Sequence, residues 1–385
     1  MHRMYGLTEE QEDFRKAVRE FIRRECGSRE RLDALTEGGR EQHNSELYRR
    51  LARTGYIGVS IPEEYGGSGG GVTEQVILFE ELWRGLAPVH GAGPAHTCAG
   101  VYKRFATEEQ KNLALNAICE GEVMSISISE PGAGSDAAAI SCRATRTASG
   151  YRLDGQKTWC SDAQFATRLL IVARTGDETR GHSGLTMFQV PADAAGVEIR
   201  PIETMGGAEV NDVFLTGVEV PDDAVIGQPG MAWKQLMSCL NGERLVCAAQ
   251  GIGMAQRTFD DLLKYLNERE QFGTKIGSFQ AVRHRVASMA IELESARALT
   301  YATTRMVEDQ LGTDQDRIRA TSMTKVKVTE VAKLIALEGV QLMGGYGYSV
   351  EYGMERHLRM SIAPTIYAGS NEIQREIISG SLGLR

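Results

Sequence analysis

No apolar run in the sequence approaches the roughly 20 residues that a membrane-spanning helix needs, which argues against a transmembrane protein. The opening residues, MHRMYGLTEEQEDF, lack the apolar stretch of a secretory signal, so a cytoplasmic address is the expectation. Positive charge is not in excess: 43 Lys and Arg stand against 51 Asp and Glu, a formal net charge of -8. A nucleic-acid binder would show a basic face, so that class is set aside, while a single locally positive cleft for an anion is not. Cysteine pairing is missing too. Cys26, Cys98, Cys119, Cys142, Cys160, Cys239 and Cys247 form no CxxC, and the His residues are scattered, so nothing stands at metal-ligand spacing. Buried, reduced thiols are the reading, and no metal site is expected. Internal repeats and low-complexity tails are absent as well.

What is present is an ordinary globular composition, 42% hydrophobic and 24% charged, in 385 residues. That length is too great for one simple core and implies two or three domains. Up to about residue 120 the pattern is helical. Thr8 and Gln11 make a capping box, with Phe14, Val18, Phe21 and Ile22 following at helical spacing. The turn-rich IPEEYGGSGGG (61–71) interrupts before VTEQVILFEELWRG resumes. From Met124 to about Ile226 short β-rich runs take over: MSISIS, AISCRAT, GYRLDGQKTW, RLLIVART, GLTMFQV, GVEIRPI and DVFLTGVEV. ASG, GDETRGHSG and PADAAG separate them as turns, a rhythm that implies a small antiparallel barrel or sandwich rather than βαβ units. After Gly230 long amphipathic helices return, broken at GTKIGSFQ and GGYGY. The expected domains are helical over 1–120, β over 121–229 and a helical bundle over 230–385.

EPGAGSDAA (130–138) carries the most chemistry, because a Gly-rich loop with Ser and Asp can bring backbone N–H groups to a phosphate. It lacks a GK[ST] ending and opens no helix after a βαβ strand, so it is neither a P-loop nor a dinucleotide fingerprint. Taken alone it is a ligand loop or a plain turn. In the helix that begins near Ala232, Leu236, Leu240, Cys247, Gly251 and Met254 form an apolar stripe. On a helical wheel Glu243 and Arg244 fall within roughly 60° of its centre. Two charges there are costly unless paired or used. A buried ion pair, a helix end meeting solvent and a catalytic carboxylate all fit.

MSISISEPGAGSD (124–136), followed by DGQKTWCSDA (154–163), closely resembles the acyl-CoA dehydrogenase family, in which [ST]EPGAGSD precedes NGxKxWI[ST]N. GYIGVSIPEEYGGSGG (55–70), REQFGTKIGSFQ (269–280), QLMGGYGY (341–348) and IYAGSNEIQREI (366–377) are similar to that family's GxxGxxxPExYGGxG, RxxFGxxIxxFQ, QxxGGxGY and IYEGTxEIQR, in order along nearly the whole chain. The resemblance implies an α+β multidomain fold: an N-terminal α-helical domain, a central antiparallel β-barrel or sandwich and a C-terminal four-helix bundle, commonly assembled as a homotetramer. It also implies FAD, held between the β domain and the C-terminal helices. By motif, Ile126, Ile128 and Ser129 would touch the flavin ring, Ser129 donating to its N1/O2 edge. Trp159 would lie against the ring and Ser161 would bond near N5. Gly134 and Ser135 belong where the flavin phosphates and the substrate's pantetheine meet. Arg269, Phe272 and Gln280 match positions that reach a neighbouring subunit's cofactor, although Arg269 by itself reads as a solvated helix charge. Gln341, Gly345, Ser370 and Glu372 match further cofactor contacts, and Asn241, Tyr367 and Gly369 match substrate contacts. A diphosphate does need Arg and free N–H donors, and a flavin needs directed donors at its reducible edge.

The implied reaction is the α,β-desaturation of an acyl thioester, in which a carboxylate removes the α proton while hydride leaves the β carbon for flavin N5. Many members carry that Glu as the third residue of IYEGT; here it is Ala368, which cannot take a proton. LNGERLVCAA (240–249), however, is similar to the LxxERLxxA segment of the isovaleryl-CoA and long-chain acyl-CoA dehydrogenases, whose base sits on this helix. Glu243 is therefore the expected base, with Arg244 fixing its orientation and charge. Ala368 keeps the backbone N–H that in the family bonds the thioester oxygen. Two departures stand out. TMGGAEVNDVFLTGVEVP (204–221) lacks the Arg, Ser and Thr of MGxRxSxTxxxxFxxVxVP and carries Asn211, as in branches acting on branched, steroid-derived or carrier-protein-bound acyl groups. Asn241 replaces an Asp that binds adenine in some members.

The expected partners are an acyl-CoA or an acyl carrier protein as substrate and electron-transfer flavoprotein as electron acceptor. Two other readings share the scaffold. One is an acyl-CoA oxidase or flavin monooxygenase that uses dioxygen. The other is a non-catalytic subunit paired with an active homologue, which the Ala368 change suggests and which Glu243 and the flavin motifs weigh against.

Overall fold

A computed structural model of the chain describes residues 5–176 and 181–384. Helices come first: α1 (Glu9–Cys26), α2 (Arg29–Leu35), α3 (Ser45–Arg53), α4 (Val72–Arg84), α5 (Ala92–Phe105) and α6 (Glu108–Cys119). The capping box at α1 is formed, Gln11 N–H donating to Thr8 Oγ1 at 3.2 Å and Thr8 N–H to Gln11 Oε1 at 3.0 Å. Val18, Phe21 and Ile22 then face inward, as the spacing required.

Strands follow: β1 (Val123–Ser127), β2 (Arg143–Arg146), β3 (Gly150–Ser161), β4 (Ala166–Arg174), β5 (Leu185–Pro191), β6 (Val197–Thr204), β7 (Gly207–Pro221) and β8 (Val225–Ile226). They form one eight-stranded sheet in the order β6-β7-β3-β2-β4-β5-β8. The antiparallel expectation holds for β3–β7, β6–β7, β4–β5, β2–β3 and β5–β8. It needs one correction, since β1 pairs in parallel with β4 and β2 meets β4 in parallel at Arg143 and Arg174. A parallel pair needs a crossover connection, and here the chain from β1 to β4 crosses through β2 and β3 instead of a helix. Of the GDETRGHSG turn between β4 and β5, residues 177–180 lie outside the described residues.

The remaining elements are α7 (Ala232–Glu268), the small hairpin β9 (Glu270–Gln271) and β10 (Thr274–Lys275), α8 (Gln280–Glu308), α9 (Asp314–Met343), α10 (Gly345–Tyr348), α11 (Met354–Ile362) and α12 (Asn371–Ser381). GGYGY, expected as an interruption, makes the short α10. Among the described residues no helix is long and apolar enough to cross a membrane.

The chain folds as two compact units. One comprises residues 1–31, 71–87 and 244–385, and the other residues 32–70 and 88–243. In the first, Ile252, Leu262 and Leu266 of α7 pack with Met289 and Leu293 of α8 and Val328, Val331 and Ile335 of α9. Buried Glu80 of α4 accepts from Arg297 Nε at 3.2 Å and from the Tyr301 hydroxyl at 2.5 Å. Arg15 of α1 donates to that same hydroxyl at 2.8 Å. In the second, Leu153, Leu169, Ile171, Phe188, Val190, Val213 and Leu215 make the core of the sheet. Tyr102 of α5 donates to Gln189 of β5 at 2.6 Å. No disulfide joins the seven cysteines, of which five are buried and two half-buried.

Candidate active site

Alternation along β1 buries Ser125 and Ser127 and turns Ile126 and Ile128 the other way, half-exposed, leading to Ser129. The end of β3 runs alongside: Thr158 N–H donates to Ser129 O at 3.0 Å and Ser125 Oγ to Ser161 O at 2.6 Å. Between Lys157 and Cys160 the register with β7 slips, leaving Thr158 and Trp159 opposite a single residue, Asp212. Trp159 takes a left-handed φ of 60°. This is a β-bulge, a device that re-aims a side chain out of the sheet, and the indole is 59% exposed. Buried Asn211, paired with Cys160 across the ladder, donates from Nδ2 to Cys160 O at 3.0 Å and locks the bulge.

The EPGAGSD loop is clamped from below. Lys157, fully buried, donates to Ile128 O at 3.0 Å and to Glu130 Oε1 at 2.8 Å. Glu130 also accepts from the N–H groups of Ser141 and Cys142 at 2.8 and 2.9 Å. Burial pushes its carboxyl up, but Lys157 and those amides outweigh it and hold Glu130 below the usual carboxylate range. Buried Arg174 fixes the following stretch by donating to the carbonyls of Ala138 and Ile140. Above the clamp, Gly132, Gly134 and Ser135 are exposed. A Cβ at Gly132 or Gly134 would meet open space, and neither has a positive φ. The fold itself does not demand glycine there, whereas a phosphate-bearing ligand lying on the backbone does.

Glu243 and Asn241 lie on the first turns of α7. That segment is tied to α5: Arg104 donates to Ser238 O at 2.6 Å and Cys239 Sγ to Gly100 O at 3.7 Å. Leu236, Cys247 and Met254 of the expected stripe are buried, and the side chain of Leu240 lies outside the description. Arg244 is buried and Glu243 half-buried. Cys98 of α5 senses Glu243: burial raises its thiol pKa most, and the charges of Cys160 and Glu243 raise it further. Cys160 is the residue between Trp159 and Ser161.

The other unit carries the remaining motifs. Ala368, in IYAGS, holds a left-handed φ of 54°. A residue with a Cβ keeps that conformation only where its surroundings over-determine it. Here Gln374 Nε2 donates to Ala368 O at 3.1 Å and to Gly369 O at 3.2 Å. Lys325 of α9, fully buried, donates to Gly369 O and to Asn371 Oδ1, both at 3.0 Å. With both carbonyls held inside, the loop presents its other edge outward. The Tyr367 hydroxyl donates to Gln250 of α7 at 3.4 Å. Ser370 caps α12 by accepting from Ile373 N–H at 3.4 Å, and the Glu372 carboxyl is lowered by its own backbone N–H and by Ser370.

A separate cavity of about 540 Å³ is lined by Arg269, Gln341, Gly344, Gly345, Tyr346 and their neighbours. The Arg269 guanidinium stands 5.2 Å over the Tyr346 ring. Arg269, Gln341 and Gly345, drawn from two separate motifs, are thus brought together. Phe272, 94% exposed on the hairpin, and Gln280, exposed at the start of α8, do not line the cavity, nor do Ser370 and Glu372.

Family models for the N-terminal, middle and C-terminal domains of acyl-CoA dehydrogenase match residues 8–122, 125–218 and 230–383. The caffeyl-CoA reductase–Etf complex subunit CarC of Acetobacterium woodii is 34% identical over 382 residues, 98% of this chain and 99% of that one. The chain belongs to the acyl-CoA dehydrogenase family. Acyl-CoA dehydrogenase from Geobacillus kaustophilus superposes with a TM-score of 0.91 at 29% identity, covering 98% of this chain and 99% of that one. PigA, solved with FAD, gives 0.90 at 25% identity over 98% and 99%. Membership makes the chain an oxidoreductase of the acyl-CoA dehydrogenase fold with FAD as its cofactor.

Sequence reasoning missed the residues that hold the acyl-CoA dehydrogenase motifs in shape: Glu130, Lys157, Arg174, Lys325 and Gln374. A signal existed for two of them. Lys157 stands in strand phase with buried Leu153, and Lys325 stands in helical phase with buried Val328 and Ala332.

Proposed function

We propose that the chain desaturates an acyl thioester between Cα and Cβ, with Glu243 as the base. The observation that carries this reading is the half-buried position of Glu243 on the stretch of α7 that hydrogen bonds from Arg104 to Ser238 and from Cys239 to Gly100 tie to α5.

FAD, when bound, supplies a two-electron acceptor for the hydride from Cβ. Ser129 and Ser161 donate hydrogen bonds to the ring edge, while Ile126, Ile128 and Trp159 give it an apolar bed that excludes water. Gly134 and Ser135 leave backbone room for phosphates and pantetheine. Asn241, Tyr367 and Gly369 flank the substrate. Glu243 takes the α proton, Arg244 holds the carboxylate in place, and the Ala368 N–H donates to the thioester oxygen as negative charge gathers there. Carrying that proton, Glu243 also serves the reverse addition, the direction in the Acetobacterium relative's name.

Arg269, Phe272, Gln280, Gln341, Gly345, Ser370 and Glu372 belong to cofactor contacts, the first three reaching a neighbouring subunit's flavin in a homotetramer. Exposed Phe272, Ile291, Leu334 and Leu337 fit burial by other copies. Electron-transfer flavoprotein is the acceptor, a choice the Etf-complex relative supports. The domains are 1–120, 121–229 and 230–385.

Glu243→Gln tests the base. The variant should purify yellow and fold like the parent, yet lose anaerobic bleaching by acyl-CoA by about 10²–10⁴-fold. Bleaching at the parent rate would remove the assignment.

A further inference from the structure

The end of β3 holds an ion pair that the reaction above does not use. Where the family pattern NGxKxWI[ST]N closes on a neutral Asn, this chain has Asp162, whose side chain is 1% exposed. Its backbone is left-handed (φ 53°, ψ 25°). It is fixed at both ends, Asp162 N–H donating to Glu209 O and Phe165 N–H to Asp162 O, each at 3.0 Å. A carboxylate so enclosed is costly without a countercharge. His90, in the turn before α5, supplies one, its Nδ1 standing 2.6 Å from Asp162 Oδ2. His90 is itself held by its backbone N–H, which donates to Gln42 O at 3.1 Å.

Burial alone would discharge His90, but Asp162, helped by Glu209, outweighs it and raises the imidazole pKa to about 9. Neighbouring His43 goes the other way, to about 4, chiefly through burial and also through the charges of His90 and Arg49. The titratable and charged groups around the pair are thus Glu209 from β7, Cys160 from β3, Glu41 and His43 from the turn ahead of α3, and Tyr48 and Arg49 from α3.

We propose that Asp162 and His90 are a positioning pair that sets the reduction potential of the bound flavin, acting one residue from Ser161. This rests on the reading that puts Ser161 at the flavin edge. While His90 keeps its proton the pair is neutral, as the amide of the family pattern is. Once His90 loses it, a bare carboxylate remains buried just past the end of β3. Reduction adds negative charge close by, and an uncompensated anion in a low-dielectric setting opposes that. Reduction then favours proton uptake at His90, so the potential falls more steeply with pH from the His90 pKa of the oxidised enzyme up to its higher value in the reduced enzyme.

The test compares the holoenzyme with its Asp162→Asn, His90→Gln and doubly substituted forms. The flavin midpoint potential is measured from about pH 6 to about pH 10, bracketing the His range, together with the melting temperature. The parent's potential should steepen from about pH 9, while Asp162→Asn and the double form should show no such break. His90→Gln alone should have the lowest potential at neutral pH and the lowest melting temperature, and adding Asp162→Asn should restore both. Parallel potential–pH lines in the parent and the double form overturn the proposal. So does restored melting with potentials unchanged in every form, which would make the pair structural only. If His90→Gln does not fold, the parent, Asp162→Asn and double forms still decide. Failure of the Ser161 placement looks different: Ser161→Ala would then leave the flavin spectrum and midpoint potential of the parent unchanged.

Discussion

At the scale of single residues, buried cations govern the shape of the motif loops. Replacing Lys157 by Met would strand the Glu130 carboxylate and free the Ile128 carbonyl. Breaking such a pair from one side costs about 3–5 kcal/mol, so denaturant unfolding should show a loss of that size, and adding Glu130→Gln should recover part of it. Lys325→Met should act more locally. With Gly369 O and Asn371 Oδ1 released, the Ala368 N–H shifts, and kcat/KM should drop by up to about 10²-fold. The histidines beside Asp162 predict how stability varies with pH. His43 has a folded pKa of about 4, so its share is present above its unfolded value and lost as pH falls through 4. His90, raised to about 9, contributes below its unfolded value and loses that share as pH rises through 9. Thermal melts should therefore peak near the free imidazole range, about pH 6.5, and His43→Leu should make the acid-side slope shallower, the remainder belonging to groups such as Glu130 and His96. The sequence made the candidate residues legible because they sit in motifs. Lys157 and Lys325 escaped because a lysine reads as solvated until its partners are known.

Elements were legible where periodicity is strong and obscure where the backbone departs from it. The long helices and their order could be read from apolar spacing and from the Thr8 cap. The parallel pairing of β1 with β4 could not, since strand direction leaves no mark on a five-residue run. The bulge that aims Trp159 was hidden too, because its cause is Asn211 on another strand, about fifty residues away along the chain. Helix contacts show the same dependence on partners. Gly253 of α7 lies against α4 so tightly that a Cβ would come within 2.3 Å of Glu80 O and 2.8 Å of Arg84 N. Gly253→Ala has backbone on both sides and cannot be absorbed by a rotamer. It should cost about 1–3 kcal/mol, read as a lower denaturation midpoint with the slope unchanged.

For the whole molecule, the succession of helical, β-rich and helical textures gave the fold class. Chain order concealed how the helices are shared out: α1 and α4 pack with the C-terminal helices, while α3, α5 and α6 belong with the sheet. Local patterning cannot report this, because an amphipathic face does not name what covers it. The faces left uncovered in one unit carry a prediction about assembly. Leu334 and Leu337 are 43% and 46% exposed on α9. If these faces bury other copies in the proposed tetramer, changing both to Lys should move the sedimentation profile to smaller species without lowering helix content, whereas an unchanged profile would place the subunit contact elsewhere.

The bulge in β3 has a practical corollary. The chain holds three tryptophans: Trp83 is 8% exposed, Trp233 stacks on His182 with ring centroids 4.2 Å apart, and Trp159 stands out in solvent. An indole beside an isoalloxazine passes its excitation to it, so ultraviolet emission from the flavin-free chain should dim as FAD is titrated in. With Trp159 against the flavin ring as proposed, Trp159→Phe should remove a share of that dimming, giving an optical gauge of loading that needs no substrate and no turnover.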